Sequence, residues 1–178
     1  MRLPRYACER QLEGSPISKF LAKSLLRLIA CFVLCFAVAW LGSVATMPKI
    51  ATWYTGLNKP SFTPPNYVFP IAWNILYALM AISLWRLWQA QPSDEVRKRA
   101  IVLFFLQLAV NLAWSWIFFG AESIRGGLST ILALDVLVAM TILAAWRVDR
   151  FAAGLLLPYL LWIGYATALN AEIVRLNL

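Results

Sequence analysis

The chain contains no histidine at all, and that absence removes the side chain most often used as a general base, a zinc ligand or a haem ligand. No Ser-His-Asp or Cys-His arrangement can be assembled without it. Acidic residues are scarce, 8 in 178, and no apolar run holds the pair of carboxylates that acid-base hydrolysis needs. Neither a P-loop nor a dinucleotide fingerprint is present. The three cysteines, Cys8, Cys31 and Cys35, form no CxxC motif and have no companion ligands, so they read as small packing residues, with no metal expected. Charge of either sign is also rare. Charged residues make up 13% of the chain, about half the ~25% of an ordinary soluble domain.

What fills the space is apolar: 62% hydrophobic residues and a mean hydropathy of +0.71. A bilayer core about 30 Å thick needs around 20 apolar residues per crossing helix. Runs of that length are predicted near 25–46, 69–90, 100–119, 128–147 and 151–176, so the expected fold is an all-α integral membrane bundle of five transmembrane helices. Residues 1–24 form a basic lead-in, with Ser15 and Pro16 suited to N-cap and N1, and 25–178 make one domain. A cleavable leader ending near Ser43-Val44-Ala45 is the competing reading of the first span, disfavoured by its long basic region and long apolar run.

The net charge of +8 does not point to nucleic acid, because the basic residues flank apolar spans instead of forming a stripe. They read as topology. Arg2, Arg5, Arg10, Lys19, Lys23, Arg27, Arg86, Arg97, Lys98, Arg99, Arg147 and Arg150 fall on one side of the membrane, and only Lys49, Lys59, Arg125 and Arg175 on the other. An N-terminus in the cytoplasm and a C-terminus outside a bacterial cell membrane follow.

Between the first two spans lies a proline-rich loop, 47–68. In it and the start of the next span, Pro60, Pro64, Pro65 and Pro70 stand among Trp53, Tyr54, Phe62, Tyr67, Phe69 and Trp73. Proline fixes φ and pushes the preceding residue towards extended conformations, so 59–66 cannot be a regular helix and the loop should be stiff. Pro70 suits the first turn of the next helix, and Trp73, Asn74 and Tyr77 then share one face. Helix three carries Gln107, Asn111 and Ser115 at i, i+4 and i+8, a polar stripe that must face the bundle interior, since a polar group facing lipid loses hydrogen bonds. In helix four Asp135 is the one acidic residue well inside a span, expected to accept hydrogen bonds from neighbouring elements. Pro158 should kink helix five, whose face holds Tyr159, Trp162, Ala166 and Asn170. Ala39 and Ser43 on helix one, and Ala109 and Ala113 on helix three, are small-residue seams suited to close helix approach.

Trp53-Tyr54, Lys59-Pro60-Ser61-Phe62, Pro64-Pro65, Trp73 and Leu76-Tyr77, followed in order by Asn111-Leu112-Ala113-Trp114-Ser115, Phe118-Phe119-Gly120, Asp135, Pro158-Tyr159-Leu160-Leu161-Trp162, Ala166 and Leu169-Asn170, closely resemble the signature of the TspO/MBR family, the tryptophan-rich sensory or translocator proteins. The resemblance runs from about Ala37 to the C-terminus. It implies a five-helix bundle, usually homodimeric, that binds porphyrin-type tetrapyrroles (protoporphyrin IX or haem), isoquinoline-carboxamide ligands and, in animals, cholesterol. The family's pocket positions match Trp53, Trp73, Asn74, Asn111, Trp114, Trp162 and Ala166, to which the shared helix face adds Tyr77. Some relatives are associated with light-driven oxidative breakdown of bound porphyrin through tryptophans matching Trp73 and Trp162.

Two departures bear on those expectations. No tyrosine lies within five residues before Arg175, so the weak sterol pattern of animal relatives is missing. Phe62 also stands where a tryptophan is more usual, keeping a stacking face and losing an N–H. The first expectation is therefore a binder that needs no cofactor and takes protoporphyrin IX or haem as ligand, the metal-free form about as well as the iron form because no imidazole is available. A light-dependent porphyrin-degrading enzyme and a permease or structural membrane subunit are the alternatives. The expected partners are a porphyrin-type small molecule, the lipid bilayer and a second copy of the chain, with no nucleic acid.

Overall fold

The computed structural model describes residues 16–91 and 94–178. Ser15, Cys8 and the connector residues Pro92 and Ser93 lie outside the described residues, as does most of the basic lead-in. The helices are α1 (Pro16–Ile50), α2 (Val68–Gln89), α3 (Asp94–Ser115), α4 (Ile124–Trp146), α5 (Arg150–Gly154) and α6 (Leu157–Asn177). Among the described residues, five stretches are long and apolar enough to cross a membrane: Ser18–Ile50, Val68–Gln89, Glu95–Gly120, Ile124–Trp146 and Arg150–Asn177. The protein is an all-α multi-pass membrane bundle.

Local chemistry accounts for where the elements begin and stop. α1 runs 35 residues, about 50 Å at 1.5 Å per residue, so it outreaches the bilayer core and carries Lys19, Lys23 and Arg27 on its first turns. Between α3 and α4 the helix loosens into a π-helical turn, Trp116–Gly120, closed by Ala121 N–H donating to the Trp116 carbonyl at 2.8 Å. Such turns cluster at functional sites. α4 then starts at Ile124, a turn earlier than the apolar pattern predicts, because Ser123 caps it, its hydroxyl accepting from Gly126 N–H at 3.1 Å. The two-residue link before Ser123 places Glu122 at φ 53°.

The fifth span departs from expectation. Pro158 does not kink one continuous helix; the chain breaks at Leu155 and Leu156, and Pro158 takes its place in the first turn of α6. The N–H that proline lacks is one the helix start leaves unused in any case. Asp149 caps α5, its carboxylate accepting from Phe151 N–H at 2.8 Å and Ala152 N–H at 3.0 Å.

At the end of the bundle holding Gln89 and Trp146, packing is dense. Ala81, Leu84, Leu87, Ala100, Ala145, Ala152 and Ala153 are wholly buried with Cys31 and Cys35. Ser83 Oγ donates to the Ala152 carbonyl at 2.8 Å, and Arg86 meets the Asp149 carboxylate at 2.7 Å. Trp85 donates from its indole to the Ser24 carbonyl at 3.1 Å, and Trp88 and Trp146 are exposed, as aromatic belts require. Towards the other end α6 keeps close to α4 and leaves an opening on its far side.

Candidate functional site

That opening is a cavity of about 480 Å³ bounded by α1, α2, the end of α3, α6 and the proline-rich loop. Its floor is a hydrogen-bonded row. Tyr77 Oη donates to Asn111 Oδ1 at 2.6 Å, and Asn111 Nδ2 donates to Tyr159 Oη at 2.9 Å. All three are buried, so one chain of polar groups ties α2, α3 and α6 together at mid-bundle. Trp73 rises above it, its ring centroid 5.7 Å from Tyr77 and 6.2 Å from Tyr159.

A second aromatic cluster forms the outer wall. Trp114 stacks on Phe118 at 5.4 Å, with the planes 15° apart, and Phe118 meets Phe119 edge to face at 4.8 Å. The π-helical turn makes this possible by carrying both phenylalanines to the buried side. Gly127 on α4 gives Phe118 room: a Cβ there would fall 2.5 Å from Phe118 Cδ2. On the opposite wall Gly42 of α1 approaches Ser115, and an added Cβ would lie 3.1 Å from the Ser115 hydroxyl.

The loop is held as a cap, as its prolines predict. Residues 59–66 are non-helical, Pro60 is buried, and Lys59 folds back to donate to the carbonyls of Tyr54 at 2.8 Å and Leu57 at 3.1 Å, 4.9 Å above the Tyr54 ring. Two ties reach α6. Asn58 N–H donates to Asn177 Oδ1 while Asn177 Nδ2 donates to the Asn58 carbonyl, both at 2.9 Å, and Tyr165 Oη donates to the Phe62 carbonyl at 2.7 Å. Lys49 at the end of α1 pairs with Glu122 at 2.7 Å.

Six of the residues singled out from the sequence line this cavity: Trp73, Asn74, Tyr77, Asn111, Trp114 and Ala166. Trp53 and Trp162 do not. Trp53 packs edge-on to Phe118 at 5.4 Å and Phe119 at 6.3 Å, behind the outer wall. Trp162 packs on Phe69 at 6.0 Å and Tyr165 at 5.9 Å, and it is Phe69 that borders the cavity. Both indoles buttress the wall instead of forming its surface, because a phenylalanine stands in front of each. Asn74 lines the space, yet its amide donates to the Pro70 carbonyl of its own helix at 2.8 Å.

Sequence reasoning missed the contribution of α1. Phe36, Ala39, Trp40, Ser43 and Met47 face the cavity, so the small residues read as a packing seam leave space, and Trp40 is 63% exposed at the rim. Their spacing along one helical face was the available signal. Asn170, seen on the right face of α6 but not counted among the binding residues, also lines the cavity.

The sequence profile of the TspO/MBR family matches residues 31–176. The chain belongs to the TspO/MBR family. It is 42% identical over 154 residues to the tryptophan-rich protein TspO of Archaeoglobus fulgidus, covering 86% of this chain and 99% of that protein. With its counterpart from Chlorobaculum tepidum it shares 43% identity over 157 residues, 87% of this chain and 98% of the other. Similarity to the human translocator protein is 38% over 128 residues, 70% and 75% of the two chains. The matched region of this TspO/MBR member takes in the cavity, its cap and all of the aromatic cluster described above.

Proposed function

We propose that this TspO/MBR protein is a membrane sensor or translocator that holds a flat, largely apolar aromatic molecule, of the porphyrin-type tetrapyrrole or isoquinoline class, in the cavity under the 51–67 loop. The supporting observation is the cavity itself: about 480 Å³ of space walled by Trp73, Trp114, Phe69, Phe118 and Phe119 above the Tyr77–Asn111–Tyr159 row. Largely apolar clefts of that size with a few fixed polar groups are the usual form of small-molecule sites, and indole and phenyl faces favour a planar guest. The basic residues clustered at the far end of the bundle support an orientation with that end in the cytoplasm and the capped cavity outside a bacterial-type membrane.

Titration of protoporphyrin IX against the purified protein, read as fluorescence quenching, tests this reading. Trp73→Ala removes an indole from the cavity surface beside the polar row and is expected to weaken binding about tenfold or more, the usual range for truncating a buried aromatic anchor. Trp162→Ala acts through Phe69 and should weaken it less. Unchanged affinity in Trp73→Ala rejects the site.

A further inference from the structure

We propose that the far end of the bundle carries a second site, a cleft between α3 and α4 that holds a phospholipid of single net negative charge, of the phosphatidylglycerol kind. The cleft is separate from the capped cavity and does not depend on what that cavity binds.

The cleft has a volume of about 320 Å³. α3 contributes Glu95, Arg99 and Leu103, spaced so that they share one face of the helix, and α4 contributes Met140, Leu143 and Arg147 on the facing one. Polarity is graded along it. At 1.5 Å per residue, Leu103 lies about 6 Å deeper than Arg99 and Met140 about 10 Å deeper than Arg147, while Glu95 forms the outer lip. The spans Glu95–Gly120 and Ile124–Trp146 begin and end at this level, and Trp146, next to Arg147, is exposed as aromatic residues are at a membrane surface. The charged mouth therefore lies in the headgroup layer and the apolar base in the hydrocarbon, whichever way the bundle is inserted.

The arginines single this cleft out. At the same end of the bundle Arg86 pairs with Asp149, Arg97 donates to the Ala90 carbonyl, and Arg150 lies over the Trp146 ring. Arg99 and Arg147 are exposed and make no ion pair or side-chain hydrogen bond among the described residues, yet both line the one cleft. Two guanidinium groups bordering one space repel each other, and a phosphodiester, whose oxygens match the guanidinium fork, offsets that repulsion. Leu143, 70% exposed, and Met140, 46% exposed, carry the apolar base out to the lipid-facing surface, so an acyl chain can leave along them; a free phosphate leaves that half empty. Basic pockets between crossing helices at the membrane surface are the usual form of anionic-lipid sites. Glu95 narrows the choice. About a turn further out than Arg99, it accepts from the hydroxyls of a glycerol headgroup and opposes a second negative charge. Two arginines against one carboxylate still leave the mouth positive, and a zwitterionic headgroup does not neutralise it.

Native mass spectrometry of the full chain in detergent, given equimolar phosphatidylglycerol, phosphatidylcholine and phosphatidylethanolamine with the same acyl chains, reads the preference directly. A basic residue near an anionic headgroup contributes about fivefold, so wild type should favour phosphatidylglycerol over either zwitterionic lipid by about twentyfold. Arg99→Gln and Arg147→Gln should each lower this to about fivefold, and the double variant should bind the three lipids alike. Lys98→Gln removes the same charge from an exposed neighbour outside the cleft and should hold the preference within about twofold of wild type. Glycerophosphoglycerol, the headgroup without acyl chains, should not displace the lipid. Equal binding of the three lipids by wild type, an equal loss in Lys98→Gln, or a preference undiminished in the double variant overturns the site. Phosphatidylethanolamine bound as well as phosphatidylglycerol overturns the anionic headgroup, and displacement by glycerophosphoglycerol at comparable concentration overturns the lipid in favour of a soluble anion. All of these outcomes leave the reading of the capped cavity standing.

Discussion

The two halves of the bundle are built from the same helices and reach opposite results. At the far end, alanines on α2, α3, α4 and α5 have no exposed surface, Ser83 takes up the Ala152 carbonyl just before the chain break, and Asp149 caps the start of α5. At the capped end, small residues occur again, Ala39 and Ala166, yet there they border empty space. The difference lies in what stands opposite. Small residues packed in a closed core let helices approach, whereas alanine facing a ring of tryptophan and phenylalanine leaves a gap that the stiff rings cannot collapse into. A small residue in a membrane helix is thus a seam or a vacancy according to its neighbour.

Placing one substitution in each half separates these roles most sharply. Ala166→Leu adds volume to the cavity wall, and it should lower protoporphyrin affinity by about tenfold or more while costing little stability, since the cavity can take up the added side chain. Ala153→Leu adds the same atoms to a closed seam and should destabilise the protein by about 1–3 kcal/mol through overpacking, with ligand affinity preserved in whatever fraction remains folded. Thermal unfolding in detergent and porphyrin titration on both variants check this, and the comparison fails if both lose stability alike.

The floor between the halves belongs to both, and its expected effect is smaller. Tyr77→Phe leaves Asn111 Oδ1 buried without its donor, a loss of about 1 kcal/mol, close to what interhelical hydrogen bonds contribute in membranes. The measurement is again thermal unfolding, now paired with Asn111→Leu. Because the second substitution removes the stranded acceptor, the double variant should be less destabilised than the two single effects added together. Strict additivity would show that the row does not act as a unit.

Much of this was legible in the residues. Run lengths gave the five crossings, the prolines gave the cap, and the polar stripe on helix three pointed inward, with Gln107 and Asn111 buried as expected and Asp135 accepting from Thr167 at 2.7 Å. What stayed hidden was distance. Helical periodicity tells which angle a side chain takes about its own axis and is silent on how far away the next axis lies. Trp162 and Ala166 therefore looked equivalent, although Phe69 stands before one and nothing before the other, and the seam on α1 could not be told from a cavity wall. The break before Pro158 was misread as a kink for a related reason: the pattern marks a proline's position but not whether the preceding turn remains helical.

The smallest expected effect belongs to the closed end and depends on pH. Partial burial pushes the Asp149 carboxyl up, but the Arg86 guanidinium hydrogen bond, the Phe151 and Ala152 amides and the charge of Arg86 outweigh it and hold the group below its ordinary value. A carboxyl lowered in this way stabilises the folded state above its unfolded value of about 4, and that contribution is lost as pH falls through the lower folded value. Arg86 is more than a third exposed, so solvent screening keeps the pair at about 1 kcal/mol or less. Unfolding temperatures should accordingly be level from neutrality down to about pH 5 and then decline. Asp149→Asn keeps an acceptor for the α5 cap and removes the charge, and should flatten that acid decline relative to wild type while leaving porphyrin affinity untouched. An equal decline in the variant would place the acid sensitivity elsewhere, and a loss of affinity would mean that the closed half also sets the shape of the open one.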